Sequence, residues 1–103
     1  ALPISSMRDW SILDDLWLVI QDRAEHPLPE SYVSSVLTHR KGIDKSLEKV
    51  GEEAVEFILA AKNRVPERTV SEAADLLFHL LVALQASGTD VADVLDELAA
   101  RRK

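Results

Sequence analysis

The segment 76–84 constrains the fold more than any other, because it is apolar on nearly every side of a helix. With Glu72 set at zero, Asp75 and His79 lie within about 60° of it, and apolar side chains occupy much of the remaining circumference. A helix of this kind has to lie at the centre of a bundle. A chain of 103 residues offers few helices to surround it. The pattern therefore predicts a bundle that is completed by dimerisation.

The rest of the chain also has the periodicity of helices, without alternation typical of strands. The predicted helices are an N-terminal helix over 9–25 capped by Asp9 or Ser11, a short helix from Ser31 ended by Gly42, a helix over about 44–63, a helix from Thr69 or Ser71 to Ala86, and a helix capped by Asp90. Segments 26–29 and 65–68 are predicted to interrupt the helices, because both contain proline, which lacks an amide donor. The sequence thus predicts one all-α domain over 1–103, a bundle of about four to five helices. Residues 1–6 can be native sequence, a processed end or an expression remnant.

Three of these helices are amphipathic, and the apolar side of the last one is expected to face inward. On the N-terminal helix the apolar positions are Trp10, Leu13, Leu16, Trp17 and Ile20. On the third helix the apolar positions are Leu47, Val50, Ala54, Phe57, Ile58 and Ala61, with Glu53 at the border. On the last helix they are Val91, Val94, Leu95 and Leu98.

Composition excludes several classes of function. The net charge of −6 argues against a general nucleic-acid binder, which usually has a basic surplus. The absence of cysteine excludes disulfides, thiolate chemistry and cysteine-ligated zinc. No uninterrupted apolar run approaches the ~20 residues of a membrane span. We expect a cytoplasmic protein without a membrane or nucleic-acid partner.

Two acidic pairs, Glu53/Glu56 and Glu72/Asp75, point to a metal site. Each pair has the i, i+3 spacing that places both carboxylates on one helix face. Glutamates on the third helix could instead form surface ion pairs with Lys45 and Lys49. Glu72 and Asp75, however, have no lysine at a four-residue spacing, and aspartate is unfavourable inside a helix. The two pairs together therefore favour metal binding.

The ligand types indicate which metal is expected. Di-iron helical bundles use Glu-x-x-His motifs, whereas the two pairs here offer oxygen alone. Oxygen ligands favour Mg²⁺, with Mn²⁺ as a substitute. His79 is interpreted as a core or supporting histidine rather than as a ligand.

Basic residues close to the acidic pairs suggest a polyphosphate substrate. Lys45 and Lys49 lie one turn apart on the third helix, and Arg40 and Lys41 precede Gly42. Cations and a metal together stabilise the charge on transferring phosphoryl groups. Arg40 and Lys41 could instead belong to a basic loop that only increases solubility and does not contact phosphate. A water activated by metal and carboxylate is the remaining plausible nucleophile.

Seven segments resemble a known enzyme family. They are SY at 31–32, GIDK at 42–45, KVGEEAVE at 49–56, AAK at 60–62, EAADL at 72–76, HLLV at 79–82 and DVLDEL at 93–98. They are similar to the phosphoribosyl-ATP pyrophosphohydrolases of histidine biosynthesis, in the MazG-like all-α superfamily of NTP pyrophosphohydrolases. The resemblance covers about 31–103, and the N-terminal helix fits the position usual in that family.

The resemblance implies an Mg²⁺-dependent dimer that hydrolyses phosphoribosyl-ATP to phosphoribosyl-AMP and pyrophosphate, between the α and β phosphates. The metal ligands it implies are Glu53, Glu56, Glu72 and Asp75. Glu52 then orients or deprotonates water, Lys49 and Lys45 contact phosphate, and Lys62 is a weaker candidate. Two alternatives stay open: a house-cleaning (deoxy)nucleoside triphosphate pyrophosphatase, and a non-catalytic helical dimerisation module.

Overall fold

The computed structural model describes residues 8–102, and within that range it contains five helices and no strand. They are α1 (Ser11–Glu25), α2 (Tyr32–Leu37), α3 (Ile43–Lys62), α4 (Pro66–Ala86) and α5 (Val91–Arg101). The predicted all-α fold is confirmed. Residues 1–6, whose origin the sequence left open, lie outside the described residues.

Local sequence signals fix several helix ends. The Ser31 hydroxyl accepts a hydrogen bond from the Ser34 amide at 3.1 Å, and the Asp90 carboxylate accepts one from the Ala92 amide at 2.8 Å. Both predicted caps are confirmed. The prediction that Gly42 ends α2 is wrong. Gly42 instead directly precedes α3, and its φ of 63° is a conformation that favours glycine.

The start of α4 differs from the prediction by about one turn. The helix begins at Pro66 rather than after Thr69 or Ser71, and the Thr69 amide already donates to the Val65 carbonyl at 2.8 Å. Proline is favoured at the first helical position because the amide there has no helical partner. The predicted break at 65–68 is therefore confirmed at Val65, which is extended, and wrong at 66–68, so Arg68 belongs to the helix.

The helices α3 and α4 form a hairpin, and the core lies towards the second half of α4. The buried core residues are Trp17, Ile20, Val33, Val36, Leu81 and Val82. They come from α1, α2 and α4, so the two N-terminal helices cover one end of α4 while α3 packs along it. This arrangement leaves the first half of α4 beside α3, where the acidic pairs lie.

The predicted inward face of α5 is confirmed at Val91, which is partly buried against the core, and is wrong in the single chain for Leu95 and Leu98. No described residue of α5 is buried, and Leu95 and Leu98 are 54% and 59% exposed. On α3 the buried residues are Ser46, Glu53 and Ala60, seven residues apart on one face, whereas much of the apolar stripe faces outward. The reason is that one chain has too few helices to cover every apolar face.

Within residues 8–102, α4 is the helix that is long and apolar enough to cross a membrane by length and composition. A core helix of a soluble protein has the same properties, and part of α4 packs in the core here. The expectation of no membrane partner stays a prediction.

Candidate active site

Three carboxylates converge between α3 and α4. Glu53, Glu56 and Glu72 each place one oxygen so that all three oxygens lie within 4.8 Å of one another. The connection between α3 and α4 is short, and Glu56 and Glu72 each lie about two helical turns from it, on opposite sides. The hairpin therefore brings these two side chains together. Asp75, the fourth predicted ligand, is exposed and lies outside this close group.

The environment of the cluster disfavours its ionised form. Burial raises the pKa of Glu53, and the charge of Glu56 raises it further. Burial also raises the pKa of Glu72, with a hydrogen bond to Glu56 and the charges of Glu56 and Asp75 adding to the effect. Carboxylates this close repel one another unless a proton or a cation lies between them. Asp75 therefore acts on the cluster electrostatically although it stands outside the close group.

Two buried carboxylate oxygens at the cluster lack a hydrogen bond. The Oε2 atoms of Glu53 and Glu72 are both buried without a hydrogen-bond partner within residues 8–102. Leaving a buried carboxylate oxygen unpaired costs free energy. A divalent cation that prefers oxygen ligands would satisfy both atoms, so the donor set fits Mg²⁺ or Mn²⁺.

Lys49 brings a positive charge to the edge of the cluster. Its Nζ donates to Glu52 Oε2 at 3.0 Å and lies 3.7 Å from Glu53 Oε1. The hydrogen bond between Lys49 and Glu52 raises the pKa of the lysine and lowers the pKa of the glutamate. Glu52 is exposed, so its carboxylate is both ionised and accessible beside the buried Glu53.

The other predicted phosphate contacts lie at varied distances from the cluster. Lys45 is one turn before Lys49 on the same helix, whereas Arg40 is exposed in the preceding turn. Lys41 donates to both oxygens of Glu48, at 3.1 and 3.3 Å. Lys62 lies in the last turn of α3, about 9 Å along the axis from Glu56. The structure thus places Lys49 at the cluster and Lys45 next to it.

Sequence reasoning missed Arg68, whose Nη2 lies 3.8 Å from Glu72 Oε1. The expectation for Glu72 rested on the absence of lysine at a four-residue spacing, and 65–68 was interpreted as a break in the helix. An arginine four residues before an acid on a continuous helix is the signal that would have found it.

It also missed a link between α2 and α4. The Tyr32 hydroxyl lies 2.9 Å from His79 Nε2, and His79 Nδ1 lies 2.8 Å from the Asp75 carbonyl oxygen. His79 is 7% exposed and hydrogen-bonds through both nitrogens. Nothing in the local sequence connects residues so far apart, so the tertiary structure was needed.

Comparison with known proteins adds to this geometry. A family model described as phosphoribosyl-ATP pyrophosphohydrolase matches residues 13–102, which include α1 from its third residue. The chain is similar to a protein of Methanoculleus marisnigri named phosphoribosyl-ATP pyrophosphatase, with 89% identity over 97 residues that cover 94% of this chain and all of the relative. A protein of the same name from Methanosphaerula palustris is 62% identical over 97 residues, covering 94% of this chain and 98% of the relative.

Proposed function

The chain belongs to the phosphoribosyl-ATP pyrophosphohydrolase family, and we propose that it hydrolyses phosphoribosyl-ATP to phosphoribosyl-AMP and pyrophosphate. It is a hydrolase of histidine biosynthesis, as its high-identity relatives indicate. The observation that carries the proposal is the convergence of Glu53, Glu56 and Glu72 within this family's sequence. The non-catalytic alternative offers no role for buried carboxylates that have unpaired oxygens.

We propose that Glu53, Glu56, Glu72 and Asp75 hold Mg²⁺, with Mn²⁺ as a substitute. The bound cation supplies charge neutralisation at the phosphoryl oxygens and lowers the pKa of a bound water. The raised pKa of Glu53, caused first by its burial, and the unpaired oxygens of Glu53 and Glu72 support a cation at this place.

Protein side chains then bind and orient the reactants. Lys49, with Lys45 behind it, attracts the negative charge of the phosphates. Glu52 accepts the hydrogen bond of Lys49 and can accept another from the attacking water, which orients that water. Hydrolysis breaks the bridge between the α and β phosphates. Water that attacks the α phosphorus expels pyrophosphate with the bridging oxygen, whereas water that attacks the β phosphorus expels phosphoribosyl-AMP with that oxygen and leaves the water oxygen in pyrophosphate. Arg40, Lys41 and Lys62 are secondary candidates for phosphate contact.

The enzyme is also proposed to be a homodimer. The exposed large apolar side chains of the single chain include, on α3, α4 and α5, Leu47, Val55, Ile58, Leu59, Val70, Leu77, Leu80, Leu95 and Leu98. Soluble monomers rarely expose contiguous apolar patches of large size. A second copy would cover these faces with the same faces of its own. Light scattering on the purified protein measures the mass directly, and a monomer at micromolar concentration would contradict the dimer.

The activity is tested by measuring pyrophosphate release from phosphoribosyl-ATP by the purified protein with Mg²⁺ or Mn²⁺. Release is expected with either ion and is expected to stop when the ion is chelated. A parallel assay with free deoxynucleoside triphosphates distinguishes the house-cleaning alternative, which requires these to be the faster substrates. No release from phosphoribosyl-ATP under any metal condition would sink the proposal. The cytoplasmic location and the absence of nucleic-acid partners stay predictions from composition.

A further inference from the structure

Arg68 lies at the edge of the acidic cluster without being bound tightly to it. Its Nη2 is 3.8 Å from Glu72 Oε1, which is longer than a hydrogen bond. The side chain of Arg68 is 64% exposed, and within residues 8–102 its guanidinium has no hydrogen-bond partner. The N–H donors of this arginine are therefore available to a ligand that reaches the cluster.

Stabilisation of Glu72 explains little of the position of Arg68. Burial raises the pKa of Glu72, and the hydrogen bond and charge of Glu56 raise it further, although the guanidinium is close. Arg68 thus does not compensate the negative charge of the cluster. An exposed ion pair at i, i+4 spacing also contributes little to the stability of a helix.

The side of the cluster that carries Arg68 is basic. Arg68 lies about 6 Å along α4 from the cluster residue of that helix, towards the connection to α3. Lys62 and Arg64 are exposed at the same connection, and Glu67 is the acidic residue among them. Three cations against one anion produce a local field that attracts phosphate.

The opposite side of the cluster is aromatic. His79 lies about 10 Å along α4 from Glu72, away from the connection, and its Nε2 is 2.9 Å from the Tyr32 hydroxyl of α2. The ring of Tyr32 stacks with Phe78 at 6.1 Å, and Tyr32 is half-exposed. An exposed aromatic ring is a surface on which a base can stack. A nucleoside therefore fits this side better than the basic side.

A nucleotide that is cleaved between its α and β phosphates has the same polarity as these surroundings. Its pyrophosphate half is anionic, whereas its other half carries the base and the sugars. Because the scissile bridge has to lie at the cluster, the two halves extend to opposite sides of it. With the nucleoside towards Tyr32, the pyrophosphate half extends towards Arg68.

We propose that Arg68 is a substrate-binding residue whose guanidinium donates to the pyrophosphate half of phosphoribosyl-ATP and so orients the substrate across the cluster. The planar guanidinium can donate two parallel hydrogen bonds to one phosphate, and it exchanges its loose contact with Glu72 for them. This inference rests on the proposed function, because it takes phosphoribosyl-ATP as the substrate.

The two products, bound separately, test which half of the substrate Arg68 contacts. Titration calorimetry, with the same Mg²⁺ concentration in cell and syringe, measures the Kd of pyrophosphate and the Kd of phosphoribosyl-AMP. In Arg68→Gln the pyrophosphate Kd is expected to rise about 10- to 100-fold, because charged hydrogen bonds are lost. The phosphoribosyl-AMP Kd is expected to stay unchanged. Arg68→Lys keeps the charge without the planar fork and should give an intermediate pyrophosphate Kd.

The matched control is Arg101→Gln. Arg101 also pairs with a glutamate at four-residue spacing on a helix, since its Nε lies 2.8 Å from Glu97 Oε2. It belongs to α5, outside the hairpin that carries the cluster, so both Kd values are expected to match those of the wild type. Circular dichroism checks that each variant is folded.

Two further measurements separate substrate binding from support of the carboxylates. In Arg68→Gln the KM of phosphoribosyl-ATP is expected to rise about tenfold. The affinity for Mn²⁺ without phosphate is expected to stay the same or to tighten, because a repelling cation is removed. A weaker Mn²⁺ affinity would overturn the proposal, since Arg68 would then act by holding Glu72 in place.

The remaining outcomes separate this proposal from the proposed function. An unchanged pyrophosphate Kd in folded Arg68→Gln would overturn the role of Arg68 and leave the proposed function intact. Equal weakening of both products would also overturn that role, because Arg68 would then not be specific to the pyrophosphate half. Absence of pyrophosphate release from phosphoribosyl-ATP by the wild type would overturn the proposed function and, with it, the substrate that Arg68 is proposed to orient.

Discussion

The two halves of α4 differ in what stabilises them. In the second half, Leu81 and Val82 pack into the core with residues of α1 and α2. In the first half, Glu72 faces Glu53 and Glu56 of α3, and two buried carboxylate oxygens lack hydrogen-bond partners in the described part of the chain. Burial of apolar surface stabilises the second half without any ligand. The first half is held together against mutual repulsion, which a cation would relieve. One helix thus carries the stability at one end and the proposed chemistry at the other.

The largest expected effect tests the stable half. Ile20 is fully buried in the core, and Ile20→Ala is expected to lower the free energy of unfolding by about 2–5 kcal/mol. Urea unfolding measures this loss. Activity per folded molecule is expected to stay near the wild-type level, because Ile20 lies in α1 and not at the cluster. A large loss of activity in protein that is still folded would show that the two halves are not separable.

The second prediction concerns the acidic half. Glu56→Gln keeps the size of the side chain and removes the charge, and it is expected to lower kcat by about 10²- to 10³-fold. Pyrophosphate release measures the loss. Glu25→Gln, which changes an exposed glutamate at the end of α1, is the matched control and should keep full activity. Wild-type kcat in Glu56→Gln would remove the carboxylate cluster from the mechanism.

The third prediction is the pH dependence of the metal-free protein. Burial raises the pKa of Glu53 and of Glu72 above the usual 4.5, so the folded state binds their protons more tightly than the unfolded state does. Stability from these groups is therefore present below pH 4.5 and is lost as the pH rises through the raised values. Thermal unfolding with a chelator, between about pH 4 and pH 8, measures the decline.

Two comparisons sharpen that measurement. Mg²⁺ or Mn²⁺ is expected to reverse the decline, because a ligand that binds only the folded state stabilises it. Glu56→Gln is expected to make the decline shallower without metal, since it removes a repelling charge. An equal decline in wild type and variant, with and without metal, would place its origin elsewhere in the chain.

The smallest expected effect is at Ser46, which is buried on α3 with no hydrogen-bond partner for its hydroxyl among residues 8–102. Ser46→Ala is expected to raise the free energy of unfolding by about 1 kcal/mol, because an unpaired buried hydroxyl is removed and alanine favours a helix. Urea unfolding is the measurement. A loss of stability would mean that the hydroxyl has a partner in solution, such as a second chain.

The sequence by itself determined what depends on neighbours along the chain. Helix periodicity, the caps at Ser31 and Asp90, and the i, i+3 spacing of each acidic pair all follow from the geometry of a helix. The start of α4 was missed because proline was treated as a break, although it is favoured at the first position.

Only the tertiary structure decided which side chains meet across helices. The short connection between α3 and α4 brings Glu53, Glu56 and Glu72 together and leaves Asp75 at the exposed side. The packing of the helices likewise places Lys49 at the cluster while Lys41 bonds Glu48, and it brings Tyr32 of α2 against His79 of α4. Such contacts depend on packing between segments distant in sequence, for which spacing along one helix carries no information.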